Sequence, residues 1–286
     1  MKLHVLGAGC PAANPDQFGS AFLLEADGRL VLIDCGPATT YKMAKMGLQP
    51  QEVSAVFFTH HHFDHNVDFP CFALCRWDMS KGTESPLSVF GPPPTKAFVE
   101  GLLGTSGAFC DDWKSRITHS VSIELHRNRG GVLPRPAPAF DVHEVGPGKI
   151  TSFGSCEVTA VRPYHVEPTL ISLAYRFESE EGSVVFCGDC GDSPALREFA
   201  FGCDTIVICC THFSATAYEG IVAGTPQVIG IANETEAKRL VLSHASPGFS
   251  NPGWKERAVS EIARSYDGKI LFPRELTTID LDRIEV

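Results

Sequence analysis

The chain has 286 residues, 43% of them hydrophobic, and a formal net charge of −10, material enough for a full core in one large domain or two small ones, of which one is the simpler expectation. No apolar run approaches the roughly 20 residues of a membrane span. The opening Lys2-Leu3-His4-Val5-Leu6 reads as a strand rather than a secretory signal, so the expectation is a cytoplasmic protein without a membrane partner. The acidic balance disfavours a nucleic-acid partner, since proteins that grip phosphate backbones cluster Lys and Arg; only the stretch holding Arg127, Arg129 and Arg135 could make a local basic patch.

In chain order, strand-like runs come first at 2–6, 21–25 and 30–33, and Asp27-Gly28 between the last two is a hairpin signal that makes them antiparallel neighbours. A helical pattern at 38–46 follows, then an apolar run at 55–58. Directly after it stands His60-His61-His62-Phe63-Asp64-His65, four imidazoles and a carboxylate within six residues. Imidazole is the commonest ligand for zinc and iron, and a carboxylate among imidazoles suits a borderline divalent cation. If 55–58 is a buried strand, residues 60 and 62 project alike, because extended backbone alternates faces. One loop can then offer His60 and His62 to one ion, and Asp64 and His65 to a neighbour, with His61 pointing away. An affinity tag or a solvated loop is the bland alternative, but this run is internal, carries an Asp and continues into Asn66, Val67 and Asp68.

Beyond the cluster, helical patterns occur at 67–77, 95–103, 194–199, 226–237 and 254–266, and strand-like runs at 87–90, 142–145, 156–161, 172–177, 184–187, 205–210, 239–242, 269–272 and 277–281. Thr225 before Pro226 reads as an N-cap. Gly91-Pro92-Pro93-Pro94 and the Pro/Gly-rich stretch 130–147 stand apart in composition. One domain over 1–286 is expected, with an insertion at about 104–148 shaping the cleft. His165, Asp189 and His244 each follow an apolar run, as does His212 in Cys210-Thr211-His212-Phe213. Eleven cysteines are an odd number without a signal peptide, which fits a reducing compartment better than a disulfide framework. Cys187 and Cys190 enclose Asp189 as a CxxC with no second pair in view, and Cys209-Cys210 close an apolar strand where free thiols act as small hydrophobes.

The HxHxDH pattern resembles that of the metallo-β-lactamase superfamily of binuclear metallohydrolases. Leu6-Gly7-Ala8-Gly9-Cys10-Pro11, Gly19-Ser20-Ala21 and Leu32-Ile33-Asp34-Cys35-Gly36 resemble the opening strands of its ribonuclease Z-like branch, and Pro163-Tyr164-His165, Cys187-Gly188-Asp189 and Leu242-Ser243-His244 match the remaining ligand segments in order. The resemblance implies an α+β fold, a four-layer αββα sandwich. It implies two divalent ions, zinc first with manganese or iron as alternatives: His60, His62 and His165 on one, Asp64, His65 and His244 on the other, and Asp189 bridging both. Two ions about 3.5–4 Å apart can share a hydroxide and polarise a carbonyl or phosphoryl oxygen, so a hydrolase is expected, with Asp64 and His212 as the catalytic candidates. His212 would be a general acid or a rim residue. Asp34 is a candidate acceptor orienting a ligand imidazole, or simply a turn former.

Departures refine the expectation. Ribonuclease Z proper inserts a long arm that grips tRNA between the third and fourth ligand segments, whereas only 24 positions separate His165 from Asp189. That gap and the negative charge move the expected substrate to a small molecule, a phosphodiester such as a cyclic nucleotide. A lactonase or other carboxyl ester hydrolase is the alternative, for which Tyr218 could contact substrate; a tRNA 3′-processing enzyme and a non-catalytic metal-binding protein rank below. Flavodiiron proteins place an acid where this chain has His62 and carry a flavin domain, which disfavours redox chemistry. A homodimer, the commonest soluble assembly, is the oligomer to test first.

Overall fold

A computed structural model of the protein describes residues 1–214 and 220–282; Tyr218 lies outside them. Two seven-stranded sheets form its centre. The first begins with a meander of β1 (Lys2–Ala8), β2 (Ser20–Ala26) and β3 (Arg29–Ile33). Asp27 and Gly28, both with positive φ (48° and 67°), make the tight turn that pairs β2 with β3 antiparallel. After helix α1 (Thr39–Lys45) the chain enters β4 (Val53–Phe57), which pairs parallel to β3. Helix α2 (Phe69–Met79) leads to β5 (Leu87–Gly91) and α3 (Thr95–Leu103). The second sheet starts with β7 (Gly148–Phe153), β8 (Cys156–Val161), β9 (Ala174–Ser179) and β10 (Gly182–Phe186). It continues through α6 (Pro194–Ala200), β11 (Thr205–Cys209), α7 (Thr225–Thr235), β12 (Arg239–Ser243), α8 (Trp254–Ile262) and β13 (Lys269–Leu271). The final strand β14 (Thr277–Asp280) returns to the first sheet beside β1.

Alternation along each strand builds four layers. In β4, Ala55 and Phe57 face the second sheet in a core shared with Phe22, Tyr175, Phe177 and Phe186, while Val56 and the following Phe58 face α2 and α3 among Phe69, Phe72 and Val99. In β12, Val241 joins the inter-sheet core, whereas Leu240 and Leu242 pack on α6–α8 with Leu196, Val228 and Ile262. Strands buried on both faces read as continuous apolar runs, as parallel strands between helices must. This is the expected αββα sandwich.

Residues 104–148 hold α4 (Cys110–Thr118), α5 (Ser120–Asn128) and β6 (Phe140–Glu144). The two helices were not anticipated, because each buries a single side chain, Trp113 in one and His126 in the other, too little for an apolar stripe. They are tied to α2 by charge: Asp78 accepts from Arg116, Arg129 and Arg135, and Arg135 lies 4.2 Å from the centre of the Trp77 ring. The basic stretch thus spends Arg129 and Arg135 on an internal carboxylate. Strand β7 was also missed, an edge strand of half-exposed residues opening on a glycine. Thr225 is not the cap of α7 but its first residue; Gly224 caps it, its N–H donating to Gln227 Oε1 at 3.0 Å. Helix α8 stops at Ile262, four residues short of the expected end. All eleven cysteines are free thiols, and no helix among the described residues is long and apolar enough to cross a membrane.

Candidate metal centre

Strands β3, β4 and β5 run parallel, as do β10, β11 and β12, and in both sheets their carboxyl ends meet along one rim. The loop after β4 carries the histidine-rich run. It is gripped by the Asp34-Cys35-Gly36 turn after β3: Cys35 N–H donates to the His65 carbonyl at 2.6 Å, and Asp68 N–H to the Cys35 carbonyl at 3.1 Å. Glycine is obligatory at position 36, because a Cβ there would stand 2.2 Å from the Asp64 carbonyl oxygen. Asp34 adopts a left-handed conformation, φ 57°, which Asp tolerates better than most residues.

That geometry makes Asp34 the hub beneath the loop. Its carboxylate accepts from Thr59 N–H (2.8 Å), the Thr59 hydroxyl (2.9 Å) and the Ser20 hydroxyl (3.2 Å), and it holds His65 Nδ1 at 2.7 Å. Other imidazoles are fixed in the same manner. His60 Nδ1 lies 3.0 Å from Thr59 Oγ1, His244 Nδ1 lies 3.1 Å from Thr211 Oγ1, and His165 Nδ1 donates to the Ile221 carbonyl at 2.7 Å. Each anchored Nδ1 leaves Nε2 facing the centre, the arrangement that sets tautomer and ring orientation in metal sites. His62 presents Nδ1 instead, 3.0 Å from His60 Nε2 and 3.4 Å from His165 Nε2.

The seven side chains predicted as ligands converge in two groups, each with donor atoms within 4.8 Å of one another: His60, His62, His165 and Asp189, and Asp64, His65 and His244. Asp189 stands between them. Its Oδ2 lies 3.9 Å from both His60 and His165 Nε2 and 3.0 Å from His244 Nε2, while Oδ1 lies 3.5 Å from His65 Nε2. Asp64 Oδ2 is 3.6 Å from His65 Nε2 and 3.4 Å from His244 Nε2.

Whether these residues fit cations can be asked of their polar atoms. Both Asp64 oxygens, Asp189 Oδ1, His65 Nε2 and His244 Nε2 are buried without a hydrogen-bond partner. Native structures seldom leave buried polar atoms orphaned, and a buried carboxylate without compensation is costly. Five such atoms aimed at one small volume fit divalent cations, and the imidazole–carboxylate donor set suits zinc, manganese and iron. Burial opposes ionisation of Asp189, yet His244 and His65 hold its carboxyl well below the usual range. Burial also disfavours charge on His244 and His65, but Asp189 pushes His244 up to about 10 with help from Asp64, and Asp34 and Asp189 raise His65 well above normal. His60 and His62 go the other way, lowered by burial and by neighbouring imidazoles.

His61 does turn from the cluster: its Nε2 meets Thr95 Oγ1 at 2.8 Å and its ring packs on Phe58 and Phe98. His212, half-buried two positions beyond Cys210, follows the Thr211 that anchors His244; burial first and then His244 lower its pKa. Sequence reasoning passed over Thr59, Thr211 and the Ile221 carbonyl. The Thr59 and Thr211 hydroxyls were findable, as each directly follows an apolar run at the rim, whereas a backbone carbonyl leaves no trace in residue identity.

Comparison with known proteins agrees with this geometry. A family profile described as "Anti-Pycsar protein Apyc1" matches residues 1–82. A ribonuclease Z of Mycobacterium bovis is 27% identical over 302 aligned positions, covering 100% of this chain and 98% of that protein. Among solved structures, the metallo-β-lactamase fold protein YhfI of Bacillus subtilis superposes with a TM-score of 0.72 at 16% identity, covering 97% of this chain and 98% of that one. The short form of human tRNase Z gives 0.71 at 20%, with each chain covered completely. A diphosphatase of the PhnP family gives 0.67 at 18%, covering 98% and 97%. These likenesses show the metallo-β-lactamase fold and, over the chain's whole length, a similarity to proteins named ribonuclease Z.

Proposed function

We propose that the protein is a binuclear metal-dependent phosphodiesterase acting on a small phosphodiester such as a cyclic nucleotide. The carrying observation is the pair of buried carboxylates ringed by imidazole nitrogens, Asp64 with both oxygens and Asp189 with Oδ1 lacking a hydrogen-bond partner. In this reading His60, His62 and His165 hold one cation, Asp64, His65 and His244 hold a second, and Asp189 lies between them. When bound, two divalent ions supply Lewis acidity toward a phosphoryl oxygen and lower the pKa of water toward about 7. The chain's own part is orientation: Asp34, Thr59, Thr211 and the Ile221 carbonyl fix the imidazoles so that no reorganisation is needed. His212, which follows Thr211 at the rim, is the candidate to give a proton to the leaving oxygen, an acid only in the protonated form that burial and His244 disfavour.

The connection between His165 and Asp189, the plain hairpin of β9 and β10 with no arm, supports a small substrate. A second reading, RNA 3′ processing, is favoured by the end-to-end alignment with a protein named ribonuclease Z. Carboxyl ester or lactone hydrolysis uses the same activated water. The test is turnover by zinc-, manganese- or iron-supplied protein of bis-p-nitrophenyl phosphate, 3′,5′-cyclic nucleotides, precursor tRNA and homoserine lactones. Turnover of the first two is expected; cleavage of precursor tRNA alone would favour the second reading, and hydrolysis of lactones alone would overturn both.

A further inference from the structure

Asp34 and Thr59 lie together beneath the metal loop, and between them they reach one imidazole of each donor group. Both are almost fully buried, as are His60 and His65. Asp34 Oδ2 meets His65 Nδ1 at 2.7 Å. The Thr59 hydroxyl lies 2.9 Å from the same Asp34 oxygen and 3.0 Å from His60 Nδ1. A hydroxyl has one proton to give and two lone pairs, whereas a carboxylate only accepts. Thr59 therefore gives its proton to Asp34, and its oxygen is left to accept from His60 Nδ1–H. That direction leaves His60 Nε2 unprotonated toward the centre, the state a cation requires. Thr59 is held in this arrangement on every side. Its N–H donates to Asp34 Oδ1 at 2.8 Å, and its carbonyl accepts from Leu173 N–H at 2.8 Å. Gly188, next to Asp189, packs so closely that a Cβ there would stand 2.8 Å from Thr59 Cβ. By contrast, the Thr211 hydroxyl meets His244 and the Ile221 carbonyl meets His165, each serving one donor group.

Resting on the two-cation reading of the site, we infer that Thr59 is a positioning residue, a relay that passes the charge of Asp34 on to His60, so that one carboxylate sets a ring tautomer in both donor groups. His65 takes its tautomer from Asp34 directly, and His60 takes it through the hydroxyl. Asp34 and Thr59 thus act in series on the cation position of His60, while Asp34 alone acts on that of His65. A neutral amide at position 34 breaks both links. It accepts more weakly than a carboxylate, and its own N–H groups can donate to the Thr59 oxygen, freeing the hydroxyl proton to turn to His60 Nδ1 and select the wrong tautomer.

Two measurements test this in wild type, Thr59→Val, Thr59→Ser, Asp34→Asn and the Asp34→Asn/Thr59→Val double variant. Nitrogen NMR of metal-free protein reads which ring nitrogen of His60 and His65 is protonated, and competition against a chromophoric chelator reads the affinity of each zinc-binding step. Wild type is expected to carry the His60 proton on Nδ1. Thr59→Val should move it toward Nε2, leave His65 alone and weaken one of the two zinc positions by about ten- to a hundredfold, and Thr59→Ser should restore both readings. Asp34→Asn should weaken both positions. Adding Thr59→Val to it should change neither affinity by more than about twofold, because members of a series do not add. A wild-type His60 protonated on Nε2, an unchanged His60 tautomer in Thr59→Val, or losses that multiply in the double variant overturn the relay; the first of these needs no variant to fold. If wild type holds fewer than two zinc ions while the His60 tautomer still follows Thr59, the two-cation reading falls and the relay stands.

Discussion

At the scale of single residues, the centre divides labour between atoms that face inward and atoms that hold them there. Asp189 has carboxylate oxygens near both donor groups. Asp189→Ala is expected to cut bound metal by half or more and abolish turnover, read by elemental analysis beside a bis-p-nitrophenyl phosphate assay; full activity in a metal-loaded variant would contradict the role. His60→Ala should cost far more metal than His61→Ala, because His61 is occupied with Thr95 and the Phe58–Phe98 packing. His244, pushed up to about 10, carries a proton in metal-free protein at pH 8, whereas His60 and His62, lowered below the normal imidazole value, are neutral. Metal uptake at pH 8 should therefore release at least the His244 proton. Calorimetry in buffers of different ionisation enthalpy reads that number, and a buffer-independent heat would refute it.

At the scale of elements, what could be read in advance followed from burial. Strands such as β4 and β12, apolar on both faces, announce themselves, and so do the polar residues that break those runs at the rim, among them all seven candidate donors. The helices α4 and α5 were illegible because charge pairing rather than apolar area holds them, a contact visible only once Asp78 and its three arginines are seen together. Asp78→Ala should loosen that region by about 1.5–3 kcal/mol, the worth of hydrogen bonds to a charged group. Faster amide exchange confined to 104–135 is the expected readout. Phe57 illustrates the other kind of support. Its ring stacks on Phe90 at 4.6 Å and meets Tyr175 and Phe177 edge-on at 5.2 Å, joining the two sheets just below the metal loop. Phe57→Ala should lower unfolding free energy by about 3–5 kcal/mol, measured by denaturant titration.

For the whole molecule, the same titrating groups set how stability depends on pH. His65 and His244 have folded pKa values above the normal 6.5, so in metal-free protein their contribution is complete below that pH and disappears as pH rises through about 10 for His244. Asp189 is depressed below 3.8, so its contribution is present above that value and is lost as pH falls further. With chelator present, the melting temperature should plateau between these limits and fall on the alkaline side. With metal supplied the alkaline fall should vanish, since the imidazoles are then neutral in the native state by necessity.

Four of the donors hang from the first sheet and three from the second. Any ion shared among them is consequently a cross-link, closing the sandwich at one end as a clasp closes a book. The rest of the seam is held by apolar contact and by a few hydrogen bonds, such as the Tyr175 hydroxyl to the Phe58 carbonyl and Leu173 N–H to the Thr59 carbonyl. On the proposed function, occupancy of the clasp would govern how readily the two halves shear at the mouth, so that activity and mechanical integrity at that end would rise and fall together.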